Sequence, residues 1–149
     1  MGWQRLQPIA MKTLIFALIF ALCSPLFTHQ LFAQSQIVGT WLVATKDSKI
    51  EIYEQKGVYY GKITWLYDPT AKDQYNPNPK LKTRPLLGVV LLSGFKYNPK
   101  TKIWENGNIY NARDGKSYRS EMELQDQNTL LLRGYWTVFY RTERLKRVL

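Results

Sequence analysis

One cysteine and one histidine occur in 149 residues, and both lie upstream of Ala33 in a segment that reads as an export signal. Thr13 to Leu22 is an almost unbroken apolar run, Lys12 supplies the positive start, and Leu31-Phe32-Ala33 ends in the small residue a signal peptidase requires. The run is shorter than the roughly 20 residues a permanent membrane helix needs. Met11-Lys12 opens such a signal more naturally than the residues before it, so Met11 is the expected start. Leu22 stands before Cys23 where lipidation calls for a small residue, which weighs against a lipoprotein. Cleavage after Ala33 leaves 116 residues without Cys23 or His29. The usual base at neutral pH, a thiolate nucleophile and the common transition-metal ligands are then missing. A Ser-His-Asp triad, a Cys-His pair, structural zinc and any disulfide are excluded. There is also no phosphate-gripping Walker loop, no Gly-x-Ser-x-Gly elbow and no dinucleotide fingerprint.

What remains is basic and rich in tyrosine. With Arg5 and Lys12 set aside, 19 basic residues face 11 acidic ones, a net charge of +8. For an exported chain this suggests an anionic ligand, envelope lipid or polysaccharide rather than nucleic acid. Basic side chains spread over a solvated exterior are the plainer alternative. All ten tyrosines fall after Ala33, which suits strands that meet apolar neighbours on one face and water on the other. A chain of 116 residues is the size of one domain.

Turn chemistry then divides the chain. Gly57 separates Ser48–Glu54 from Val58–Leu66, and Asn98-Pro99 ends the stretch through Phe95. Asn106-Gly107, the strongest short hairpin signal, lies between Lys102–Trp104 and Ile109–Tyr110. Asp114-Gly115 precedes Lys116–Leu124, and Asp126-Gln127-Asn128 precedes Thr129–Tyr135. Thr137 to Val148 holds neither Pro nor Gly and reads as one bent strand or two. Ile50 and Ile52 alternate with Lys49, Glu51 and Tyr53, and Tyr118, Ser120, Met122 and Leu124 alternate with Arg119, Glu121 and Glu123. The expected fold is therefore all-β: a small antiparallel up-and-down barrel of about eight to ten strands. With no amphipathic helix to cover a sheet face, closure is what removes the edges and buries the apolar side chains. Tyr67 to Pro85, with four prolines, cannot be a central strand. It is either a lid over the barrel mouth, a purely structural flap or a disordered segment.

The order Ile37-Val38-Gly39-Thr40-Trp41, Lys49-Ile50-Glu51-Ile52-Tyr53, Tyr60-Gly61-Lys62-Ile63 and Trp65-Leu66 resembles the exported bacterial family called domain of unknown function 2147. The resemblance continues through Asp73-Gln74-Tyr75-Asn76, Asn78-Pro79, Arg84-Pro85-Leu86-Leu87-Gly88, Ser93-Gly94-Phe95, Asp114-Gly115-Lys116-Ser117-Tyr118 and Arg133-Gly134-Tyr135. It implies a lipocalin-like (calycin-like) barrel in a Gram-negative envelope, periplasmic or secreted, and brings no activity with it. Domain bounds follow: residues 1–33 as signal peptide and 34–149 as one barrel with a long flap over 67–85. Gly39 and Trp41 then plug one barrel end, with Arg147 or Arg144 lying across the indole. The family pattern usually carries a tryptophan near that closing arginine, where this chain has Leu145.

For function, the first reading is a binding module for a small amphipathic or anionic ligand. Arg84 stands near the mouth with Asp73 and Asn76, and Tyr118 and Arg133 point inward. The alternative makes Arg133 an exterior charge and Tyr118 a core filler; an inward Arg133 would need Glu121, Glu123 or a ligand carboxylate beside it. The second reading is a structural or interaction protein of the envelope with a solidly filled barrel and a basic, Tyr-rich surface. A third, an enzyme using a pair among Asp68, Asp73 and Asp114, has no spacing that demands it. Asp73, Asn76 and Asn78 match no calcium loop. No cofactor, metal or catalytic residue is expected, no nucleic-acid partner is expected, and a monomer is.

Overall fold

A computed structural model describes residues 35–148; the readings on the export signal, Met11, Cys23 and His29 lie outside the described residues. Eight strands follow in order: β1 (Gly39–Val43), β2 (Ser48–Gln55), β3 (Val58–Leu66), β4 (Val90–Asn98), β5 (Ile103–Asn111), β6 (Lys116–Asp126), β7 (Thr129–Trp136) and β8 (Phe139–Arg147). Each pairs antiparallel with the next, and β1 pairs with β8 to close the barrel. The expected up-and-down barrel is what the chain forms, with eight strands. Period-two patterning positions the walls: Ile50 and Ile52 are buried on β2, Ser120 and Met122 on β6, while Arg119, Glu121 and Glu123 lie on the other face of β6.

The core fills only one half of the barrel. Trp41, Ile52, Leu92, Phe95, Trp104, Met122, Leu130 and Leu145 pack together, all nearly or fully buried. Ile37, from the turn that precedes β1, is buried beneath them, and the Trp41 indole Nε1 donates to its carbonyl at 2.9 Å.

Arg147 seals this end. Its guanidinium carbon lies 4.2 Å from the Trp41 ring centroid, and its N–H groups donate to the carbonyls of Gln127 at 2.8 Å, Val38 at 3.0 Å and Gln36. A planar cation with five donors suits stacking and fanned hydrogen bonding together. Gly39 is the consequence: at φ +137°, a Cβ there would come 2.8 Å from Arg147 Nη1. Arg144, the other sequence candidate, is exposed on the opposite face of β8. Leu145 is buried in the core.

One sequence reading changes and another is narrowed. Asn106-Gly107 is not a hairpin but lies inside β5, at a register shift between Trp104 and Gly107, with Asn106 at φ 62°. A residue in left-handed backbone produces a bulge as readily as a two-residue turn. Gly107 is needed there for space, since its Cβ would fall 2.4 Å from the Phe95 ring. The Thr137–Val148 run forms one strand, β8, after a turn in which Thr137 takes φ 55°.

Arg147→Lys is expected to cost about 2 kcal/mol, because an ammonium cannot stack on Trp41 and reach three carbonyls at once. Arg144→Lys on the exposed face should stay within about 0.5 kcal/mol. Urea unfolding compares them, and equal losses would show that the guanidinium seal contributes nothing.

Candidate functional site

Beyond the Phe95–Met122–Leu132 level the barrel is hollow. A cavity of about 890 Å³ opens at the end where β3 leads into the flap. Its wall is apolar: Val43, Ile63, Leu66, Leu91, Ile109, Leu132 and Trp136, with Ala71, Leu86 and Val89 contributed by the flap. Gly134 adds no side chain, and its Cβ position lies 3.7 Å from Ile109 Cγ2, an ordinary contact. Eight-stranded barrels are wide enough for one small ligand when their interior is not filled.

Charged groups ring the mouth, and they engage one another. Arg141 Nε meets Glu143 Oε1 at 2.7 Å, Arg113 Nη2 meets Asp47 Oδ2 at 3.2 Å, and the Tyr118 hydroxyl donates to Asp114 at 2.5 Å. Burial opposes ionisation of Asp114, yet hydrogen bonds from Tyr118 and the Lys116 backbone, with the charge of Lys116, hold its carboxyl below the usual range. Among the lining residues, Asp47, Asp68, Asp114 and Glu143 stand against Arg113, Lys116 and Arg141. The excess positive charge of the chain is therefore not at the cavity rim.

The flap between β3 and β4 is ordered by its own polar groups. Asp68 Oδ1 accepts from the Thr70 backbone at 2.9 Å and its hydroxyl at 2.6 Å, Lys72 bridges Pro85, and Leu86 N donates to Ala71 O at 2.9 Å. A short 3-10 turn, Pro79–Leu81, starts at Asn78, whose side chain accepts from Lys80 N. At the centre sits Asp73, fully buried. Its Oδ2 accepts from Arg84 Nε at 2.9 Å, Arg84 Nη2 at 2.7 Å and Asn76 Nδ2 at 2.7 Å, and its Oδ1 accepts from the Tyr110 hydroxyl on β5 at 2.5 Å. Burial works against the Asp73 charge, but these donors and the Arg84 charge prevail and keep its carboxyl below the ordinary range. The Tyr110 hydroxyl is pushed up by burial and by the bond to Asp73. Gly115 completes the seat: at φ +72°, a Cβ there would lie 1.9 Å from Tyr75 O, so flap backbone rests directly on the β5–β6 turn. The segment expected as lid, flap or disorder is a latched flap whose inner residues line the mouth.

The site residues read from sequence separate into three places. Tyr118 lines the cavity. Arg84, Asp73 and Asn76 form the latch, and none of them lines the cavity, because Asp73 draws the Arg84 guanidinium away from the mouth. Arg133 faces outward: Glu121 Oε1 lies 2.7 Å from its Nη1 and the Tyr140 ring 5.3 Å from its guanidinium carbon, which corrects the inward placement. The parity of β7 forces this, since Leu130 and Leu132 are the buried positions. Asp68 and Asp114 reach the mouth while Asp73 does not, so the three carboxylates share no site. Calcium at Asp73, Asn76 and Asn78 conflicts with the bonding there, because a guanidinium already occupies the carboxylate and Asn78 Oδ1 caps Lys80. Among the described residues no three His, Cys, Asp or Glu side chains are grouped to hold a metal. Sequence reasoning missed Arg141 and Glu143. Counting back in twos from buried Leu145 on one unbroken β8 would have turned both toward the cavity.

A closed antiparallel meander with one sealed end and a flap-rimmed cavity at the other defines a lipocalin-like barrel. The chain belongs to the family described as "Uncharacterized protein conserved in bacteria (DUF2147)", which matches residues 39–147. Among solved structures it is similar to HP1028 of the human pathogen Helicobacter pylori, described as belonging to the lipocalin family. The two share 27% identity at a TM-score of 0.66, over 75% of this chain and 82% of that one. No curated protein matches the chain.

Asp73→Asn should lower stability by about 2–3 kcal/mol, reduced from the roughly 3–5 of a fully buried pair because Arg84 is partly solvated. Because the folded carboxyl is held below its unfolded value, its contribution is complete above the ordinary aspartate range, about pH 4, and is lost as pH falls below it. Hydrogen exchange, corrected for intrinsic rates, should show the amides of Asp73, Asn76 and Leu86 opening below that pH while β2 and β3 stay protected. Uniform opening of the whole barrel would contradict a latch specific to the flap.

Proposed function

We propose that the protein, exported to the bacterial envelope, binds one small and largely apolar ligand in the hollow half of its barrel. The cavity of about 890 Å³ carries this reading. It falls within the range of pockets that enclose drug-sized molecules, and its wall is aliphatic and aromatic. The seal at Trp41 closes the opposite end, so the cavity opens at the flap end and beside the first half of β8. The filled-barrel alternative requires side chains where this space is. The resemblance of the first 33 residues to an export signal supports the envelope location.

Rim chemistry favours an amphipathic over an anionic ligand. Four carboxylates outnumber three cations there, and Arg141 and Arg113 are already paired. To meet an anionic head, Arg141 or Arg113 would have to leave Glu143 or Asp47, stranding a carboxylate, and Lys116 already offsets the charge of Asp114. A hydroxyl, amide or amine head can instead share Tyr118, Asn111 and the rim carboxylates at lower cost.

N-Phenyl-1-naphthylamine and 8-anilinonaphthalene-1-sulfonate have the same aromatic body, without and with a sulfonate. The neutral probe should bind saturably and about tenfold tighter than the anionic one. Gly134→Phe, which places a ring in the cavity, should weaken the neutral probe by at least about tenfold while leaving the unfolding midpoint little changed. Binding that ignores Gly134→Phe, or no binding of either probe, would overturn the cavity as the site.

A further inference from the structure

The β7–β8 hairpin overshoots the rest of the wall. β1 meets β8 only from Trp41↔Arg147 to Val43↔Leu145, whereas β7 stays paired with β8 up to Trp136↔Phe139. From Phe139 to Arg144, β8 therefore has no strand partner on its β1 side among the described residues. The projecting tip is apolar and uncovered: Trp136 is 42% exposed, Val138 87%, Phe139 64% and Tyr140 62%. Four strands away around the ring, and so across the mouth, Tyr67 and Leu87 of the flap end are also exposed. Patches of this kind on a small soluble barrel mark contact surfaces.

The residues around the tip say which contact. Arg133 stacks against Tyr140 while paired with Glu121, and Arg119 stands opposite Tyr135 on the exposed face of β6 with no ion pair among the described residues. The flap adds Lys72, Lys80 and Lys82, all exposed and without ion pairs among the described residues. Aromatic and aliphatic side chains at a tip, behind a collar of guanidinium and ammonium groups, match the layering of a phospholipid surface. The rings sit at the acyl boundary and the cations meet phosphate. A second copy of the chain fits worse, because facing tips would bring two cationic collars together. Strand addition at the free edge is opposed by Arg141, Glu143 and Arg144 along it, charges of the kind that protect edges.

We propose that the β7–β8 tip docks the barrel, mouth first, on an anionic phospholipid bilayer. Trp136 belongs both to the tip and to the cavity lining, so docking would bring the cavity mouth against the lipid. The collar cations lie outside the rim, whereas the rim itself carries four carboxylates against three cations, so lipid attraction and ligand selection use different side chains. This inference stands whether or not the cavity holds a ligand.

The test is co-sedimentation of residues 34–149, which carry all eight strands and every described core residue, with vesicles; the apolar run of residues 13–22 would bind lipid by itself. Vesicles of equal phosphatidylglycerol and phosphatidylcholine are compared with pure phosphatidylcholine, at low and high salt. The protein should bind the anionic vesicles, less at high salt, and a Val138→Asp, Phe139→Asp double variant should bind at least about tenfold more weakly. Arg119→Gln should weaken binding by several-fold, as loss of one cation near an anionic surface does. Near-ultraviolet circular dichroism checks that the barrel tryptophans keep their packing in each variant; Arg119→Gln serves if the double variant fails to fold. Absence of binding, undiminished binding by a folded double variant, or equal binding to pure phosphatidylcholine would overturn the proposal. So would a dimer in light scattering that the double variant abolishes without any vesicle binding.

Discussion

The barrel closes through a seam of three residue pairs between β1 and β8, and the rest of the architecture depends on that seam holding. Its length alone offers little, since a few sheet hydrogen bonds each contribute only about 0.5–1.5 kcal/mol net. Arg147 reinforces it: one side chain on β8 stacks on Trp41 of β1 and binds carbonyls from the turn before β1 and from the β6–β7 turn. The reinforcement lies wholly at one end. Large rings, Trp41, Phe95 and Trp104, fill that half, whereas the rings of the other, Tyr118 and Trp136, line a cavity.

The mouth is organised by a different interaction, a carboxylate withdrawn from water. Four prolines between Tyr67 and Pro85 deny this segment a regular hydrogen-bond ladder. Asp73 compensates by gathering Arg84, Asn76 and Tyr110 around one buried charge, tying both arms of the flap to β5. Each donor serves a lone pair that burial would otherwise leave unmet. The arrangement commits Nε and Nη2 of Arg84 to a buried aspartate, and the residue does not line the cavity.

That commitment explains what could be read from the residues and what could not. Strand alternation and the turn residues Gly57, Asp114-Gly115 and Asp126–Asn128 act locally, and the barrel was legible from them; its sealed end was legible through the family resemblance that the Gly39-x-Trp41 opening helps to carry. Asn106-Gly107 misled because a left-handed residue serves a bulge as well as a hairpin, and only the Phe95 ring, distant in sequence, selects between them. Arg84 misled for a similar reason. An isolated arginine beside a long loop looks available until the fold brings a carboxylate eleven residues away to its guanidinium. Arg133 was ambiguous only in its facing, which the parity of β7 decides. Pairings across the barrel decide whether a charge is spent on structure or left for a ligand, and no local pattern records them.

The same asymmetric seam separates the two kinds of surface at the mouth. Because β1 stops at Val43, the first half of β8 lacks a wall neighbour, and Arg141 is inward by parity yet 70% exposed at its side chain. A charge so placed can tolerate the interior side of the sheet without the desolvation penalty that a complete wall would impose. An opening left by a short strand thus permits polar residues at the rim of an apolar cavity, and leaves the neighbouring hairpin tip free of the barrel. Extending β1 by a further turn of pairing would close that gap, bury Arg141 beside the apolar wall and require its partner Glu143 to do far more. The shortness of β1 is therefore not an imperfection of closure but the condition under which Arg141 and Glu143 can stand on the inner side of β8.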